Sequence, residues 1–155
     1  MIRIEALPTS VVRALRAGGQ DANGQPAERA LSDGGGNPCR HCLQFIPEGA
    51  PMLICAHRPF DGLHPYAETG PIFLCADDCP RFEGDAMPPV LTASADYLVK
   101  GYRDDERIAY GTGGVVAAGL LAARGEKLLS DPAIAFVDVR SARNNCFQAR
   151  FRRAA

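Results

Sequence analysis

What this 155-residue chain lacks narrows it first. Its 17 Lys and Arg and 18 Asp and Glu leave a formal net charge of −1, so it has none of the basic excess of a protein whose main work is neutralising phosphates. Nucleic acid is therefore not the expected partner. No stretch approaches the roughly twenty apolar residues needed to cross a bilayer. The opening Met1-Ile2-Arg3-Ile4-Glu5-Ala6-Leu7-Pro8 has no basic n-region, long apolar run or small-residue cleavage site. The expectation is a cytoplasmic protein with no membrane partner. There is no HExxH and no His-x-Glu ahead of Pro-Cys-x-x-Cys, so hydrolase and deaminase readings with a catalytic zinc lose support. Gly111-Thr112-Gly113-Gly114 lacks the Lys-Ser/Thr of a phosphate loop and the third glycine of a dinucleotide fingerprint.

What the chain has is two close cysteine couples, Cys39-Arg40-His41-Cys42 and Cys75-Ala76-Asp77-Asp78-Cys79. Two thiolates two or three residues apart clasp one tetrahedral ion, and two such clasps make a closed Cys₄ site of the kind structural zinc prefers. In a reducing compartment, cysteines bind metals or do chemistry more often than they pair. Four protein ligands leave no open position, so the ion would hold loops together and would not activate water. His41 reads as a solvent-facing neighbour, and His57 as a possible replacement ligand. Cys55, within an apolar strand, reads as a small buried hydrophobe.

With 46% hydrophobic residues, the chain can build one domain with its own core. Ile2 to Leu7 reads as an edge strand, and Thr9 or Ser10 as the cap of a short helix. Residues 18–38 read as a loose Gly-rich loop, with one helical turn at Ala27 to Leu31, and 39–79 as the metal-clasp region. Met52 to Ala56 and Pro71 to Cys75 read as buried strands, and Asp77 to Phe82 as the start of a helical turn. Tyr97 to Tyr102 and Arg107 to Thr112 suggest a hairpin. Ala118 to Ser130 is the best helix, and Ile134 to Arg140 with Cys146 to Phe151 close the sheet with alternating side chains. Arg150, Arg152 and Arg153 suggest a solvated strand edge. The fold class is α+β, a single domain over 1–155 with a mainly antiparallel sheet, one principal helix and a zinc-knuckle-like Cys₄ site.

Chemistry beyond the metal points to two loops. Residues 57–70 carry Arg58, Tyr66 and Glu68: Arg58 could clamp a carboxylate or phosphate, Tyr66 donate a hydrogen bond, Glu68 accept a proton. The plain alternative is that Arg58 pairs with Glu68. Arg140 to Cys146 forms a second polar turn, where Arg143 and Asn145 could bind an anion and Cys146 is either an activated thiol or a core-facing strand residue. Asn144-Asn145 supplies turn geometry. Arg58, Tyr66, Glu68 and Arg143 are thus the candidate ligand-binding residues for a small anionic molecule.

Pro38-Cys39-Arg40-His41-Cys42-Leu43, Arg58-Pro59-Phe60, Pro65 to Cys75, Tyr110-Gly111-Thr112-Gly113 and Val139 to Phe147 together resemble the bacterial domain-of-unknown-function 1203 family, over about Ile2 to Arg152. The resemblance implies no particular activity, substrate or catalytic residue. Three readings follow from the residues: a small binding domain with a structural zinc, taking an anionic ligand or a protein partner; a thiol-redox protein using Cys39 and Cys42; and a zinc-ribbon nucleic-acid binder. The redox reading lacks the long helix of a βαβ unit after its Cys-x-x-Cys. Acidic Asp77, Asp78, Glu83 and Asp85 beside the second clasp disfavour the third.

Overall fold

The computed structural model describes residues 1–155. Two antiparallel sheets form its framework. The larger has five strands in the order β1–β8–β7–β5–β6, comprising β1 (Ile2–Glu5), β5 (Asp96–Tyr102), β6 (Gly114–Ala117), β7 (Phe136–Ser141) and β8 (Phe147–Arg153). The smaller is β2–β3–β4, comprising β2 (Glu28–Leu31), β3 (Pro51–His57) and β4 (Gly70–Cys75). Two short helices, α1 (Thr9–Arg16) and α2 (Leu121–Leu129), complete the set. No helix is long and apolar enough to cross a membrane.

The alternation of the large sheet's strands gives it two unlike faces. Ile4, Val99, Val137, Val139, Ala149 and Phe151 cluster with Leu121, Leu128 and Leu129 of α2 in the main core. The opposite side chains are charged: Arg150 stands across from Glu5 on β1 and Asp138 on β7, and Asp138 across from Lys100 on β5. Alternating polar residues usually mean a solvated face. Here Asp138 is fully buried and Arg140 is 4% exposed, because the loop between β3 and β4 lies over them. Phe60 of that loop packs against Tyr102 and Phe136, with ring centroids 5.3 and 6.5 Å apart, and Arg150 Nη2 donates to the Pro59 carbonyl.

Several local expectations are corrected. There are two sheets, not one. Ala27 to Leu31 is not a helical turn; Glu28–Leu31 pairs with Ile54 to Pro51 as a strand. The segment around it is tied down, since the Asp21 carboxylate accepts from the Ala56, Asn23 and Gln25 amides. Arg107 to Thr112 is not a strand: only Ile108 bridges Tyr102, and the strand that follows β5 and pairs with it is Gly114–Ala117. Pro8, with no side-chain bond, stands where Thr9 or Ser10 was expected to cap α1. Asp77 to Phe82 forms no helical turn. Finally, β8 lies between β1 and β7, so its arginines do not guard an edge. Arg150 pairs with Asp138, Arg152 with Glu5, and Arg153 donates to the carbonyls of Leu129, Asp131 and Ile134.

Gly125 sets how closely α2 approaches β8. A Cβ there would lie 2.7 Å from Phe151 Cδ2, and Phe151 is fully buried. Gly125→Ala should therefore destabilise the fold by about 1–2 kcal/mol, although alanine is the better helix former. A variant at least as stable as the parent in urea melts would refute this packing.

Candidate metal centre and cationic cleft

Cys39 and Cys42 sit in a knuckle closed by the Leu43 amide bonding the Cys39 carbonyl at 3.0 Å, with Leu43 in the left-handed region (φ 56°). Cys75 ends β4, and Cys79 lies in the loop beyond. A parallel bridge between Cys39 and Phe73 brings the two clasps together. The four Sγ atoms all lie within 4.8 Å of one another, with Cys39–Cys79 and Cys42–Cys75 each at 4.0 Å. A metal bound to four thiolates at about 2.3 Å sets sulfur–sulfur edges of about 3.8 Å, so the four residues fit one tetrahedral ion and could hold it.

The four thiols titrate against one another. Hydrogen bonds from Cys42 and Cys75 push the Cys39 thiol far down. Hydrogen bonding to Cys39 in turn raises Cys42 to about 12 and drives Cys75 upward, while burial and then the Cys39 charge raise Cys79. One thiolate thus opposes the next three, an arrangement that a central dication reverses. Donors around the sulfurs complete the site. Arg16 Nη2 donates to Cys79 Sγ at 3.2 Å, the Cys75 amide to Cys39 Sγ at 3.3 Å, and His41 Nδ1 lies 3.1 Å from Cys79 Sγ. Thr9 Oγ1 stands 2.9 Å from His41 Nε2. His41 is therefore not solvent-facing: it is 1% exposed, wedged between the cluster and α1. His57 takes no part in the cluster, and Cys55 is buried in the core around β3.

The second feature is a cleft between the two sheets. A cavity of about 520 Å³ is lined by Leu7, Val11, Leu15, Phe60 and Phe147, with Arg58 and Arg150 at its wall. A smaller one of about 200 Å³ is lined by Glu68, Arg140, Asn145 and Cys146. His57, Pro59 and Phe147 border both. The cleft is rich in guanidinium. Burial pulls Arg40 down to about 10, and its Nε and Nη1 bond only the carbonyls of Phe147 and Pro38. Burial, then Arg150, Arg40, Arg140 and Arg58, push His57 down to about 4.

The four ligand-binding candidates do not line one cavity. Arg58 borders the larger, its buried Nε without an acceptor. Glu68 borders the smaller and, instead of pairing with Arg58, lies 3.4 Å from Lys100 Nζ and 3.5 Å from Arg140 Nη1, accepting from Asn145 Nδ2 at 3.3 Å. The Tyr66 hydroxyl lies 2.9 Å from that of Tyr110, beneath Arg107. Arg143 is 73% exposed, 3.4 Å from Asp96. Sequence reasoning weighed His57 only as a metal ligand and Arg140 only as the start of a polar turn, and gave neither a place in a cleft. Their signal was the polar alternation of β7 and the end of β3, which reads as solvent-facing when the covering loop is not yet placed. Cys146 is half-buried just before β8, neither in the core nor in the strand.

His57 gives a pH signature. Its folded value, about 4, lies below the ordinary imidazole value of roughly 6.5. As pH falls through that window the unfolded chain takes a proton that the fold refuses, so stability drops with falling pH, by roughly 3 kcal/mol in all, and levels off below about 4. His57→Gln should flatten the stability curve between pH 7 and 4.5 relative to the parent. Parallel curves for the two proteins would exclude a buried neutral imidazole.

A protein-family model, described as a protein of unknown function (DUF1203), matches residues 36–153, spanning both clasps, the smaller cavity and the turn at Asn145. No curated protein and no solved structure matches the chain. The chain belongs to the DUF1203 family.

Proposed function

We propose that the protein is a small binding domain in which a structural zinc ion on Cys39, Cys42, Cys75 and Cys79 holds the loops of the smaller sheet, while an organic anion occupies the larger cavity against Arg58. Four soft thiolates in tetrahedral reach favour zinc and leave no open coordination position. The observation that carries the ligand reading is Arg58. Its guanidinium borders a cavity of about 520 Å³ with no hydrogen bond or ion pair from the protein, and its Nε is buried. Of the other charges there, Glu5 is engaged with Arg152, Arg150 with Asp138, and Asp21 with three amides, while Asp61 stands at the exposed rim. A free fork beside apolar walls suits a carboxylate or phosphate carried on an apolar body.

Two measurements test the two halves of the reading. Elemental analysis after dialysis should give about one zinc per chain, and Cys42→Ser should lower both metal content and melting temperature. The difference in melting temperature should vanish once both proteins are stripped of metal, because metal-binding free energy is also folding free energy. Well under half an equivalent of metal in the parent would end the zinc assignment. A thermal-shift panel of aromatic and aliphatic carboxylates and phosphate esters should then yield binders whose affinity falls roughly tenfold or more in Arg58→Ala. A panel with no binder, or binders indifferent to Arg58, would end the ligand assignment.

A further inference from the structure

We infer that the smaller cavity is a second, separate binding site, built to take the carboxylate of a compact, singly charged acid. It lies beyond the wall of His57, Pro59 and Phe147 from the cavity of Arg58. Three independent features of its walls converge on that class of occupant.

The first is unspent hydrogen-bonding capacity. Arg140 is 4% exposed. Its Nη1 donates to the Asn145 carbonyl at 3.1 Å and lies 3.5 Å from Glu68, but Nε and Nη2 are buried with no acceptor. Buried donors left without acceptors are costly, and a planar carboxylate is the natural complement of a guanidinium fork.

The second is charge. Arg140 in the wall and Lys100 just outside the lining bring two positive charges, and Glu68, between them, one negative. One positive charge is left over. A monoanion cancels it, whereas sulfate or phosphate would overshoot and confront Glu68 at close range. At about 200 Å³, the cavity suits an acid of the size of acetate or pyruvate.

The third is the rigidity of the turn that forms the mouth. Asn145 is held in the left-handed region at φ 58°, a turn conformation that asparagine tolerates better than most residues. Ser141 holds it there: its Oγ accepts from the Asn144 and Cys146 amides at 3.1 and 3.2 Å, and its carbonyl from the Asn145 amide at 3.0 Å. This fixes the half-buried Cys146 thiol in the cavity wall, its Sγ bonded only to the Asn144 carbonyl at 3.7 Å. An acid held by Arg140 shares this small cavity with that sulfur.

Cys146 therefore reports occupancy. On the full-length, metal-loaded protein, iodoacetamide labelling of the Cys146 peptide is followed by mass spectrometry. Acetate or pyruvate should slow it at least fivefold, while chloride and sulfate at matched ionic strength leave it unchanged. Protection should survive in Arg58→Ala, which separates this site from the larger cavity, and disappear in Arg140→Gln. Glu68→Gln keeps Arg140 and removes the competing carboxylate, so it should tighten monocarboxylate protection and admit sulfate; it serves as the decisive variant if Arg140→Gln fails to fold. The inference is overturned if neither acid protects Cys146 in the parent, if sulfate protects it equally well, or if Glu68→Gln leaves the selectivity unchanged.

Discussion

The structure hangs on one ion pair whose carboxylate water never reaches. The Asp138 carboxylate has no exposure and is gripped by Arg150 through Nε at 2.7 Å and Nη2 at 3.0 Å. Burial raises Asp138 above the usual carboxylate range despite that grip, so desolvation is the dominant pressure on the pair. A lone charge so placed costs several kcal/mol, and removing one partner is worse than never having built the pair. Everything near it acts to complete the arrangement. Arg150 stacks over Phe136 at 3.7 Å and reaches the Pro59 carbonyl, so the loop between β3 and β4 must close over the sheet for the charges to be satisfied. The polar face of the large sheet is thereby an interior, and the cleft with its excess of guanidinium is its consequence.

Arg40 joins that interior to the cysteine cluster. Its backbone amide bonds the Phe73 carbonyl at 3.1 Å, and its carbonyl accepts from the Leu7 amide at 3.0 Å. Its side chain crosses to the Phe147 carbonyl at 2.8 Å. One residue inside the first clasp thus touches β4, the entry to α1 and the start of β8. An ion that fixed the knuckle would fix this crossing as well, and with it the shared wall of the two cavities.

How much of this was legible in the sequence follows from what each signal measures. Cysteine spacing reports local geometry, and it placed both clasps correctly because a clasp is a local object. The apolar runs at Met52 to Ala56 and Pro71 to Cys75 found β3 and β4 for the same reason. The alternation of Phe136, Asp138 and Arg140 against Val137 and Val139 announced a strand, but could not say what lay over the polar side. That depends on a loop contributed from far away in the chain. Ala27 to Leu31 was misread because ERAL favours helix intrinsically, while the free edge of β3 made it a strand. Arg143 was chosen over Arg140 because both lie in one polar string, and only the strand register buries one and exposes the other.

The position of β8 has a consequence for how the molecule comes into being. Strands β2, β3 and β4 and all four clasp cysteines lie between residues 28 and 79, so the smaller sheet can assemble around an ion from one contiguous stretch of chain. The larger sheet cannot. Its second strand in space is its last in sequence, and β1 finds no hydrogen-bonded neighbour until Phe147–Arg153 slots between it and β7. During synthesis the first strand therefore waits, unpaired, for nearly the whole chain to follow. Loop-closure entropy makes such end-to-end pairings late and slow. The half of the protein that carries the cysteines is free to mature early, and the half that completes the cleft is bound to come last.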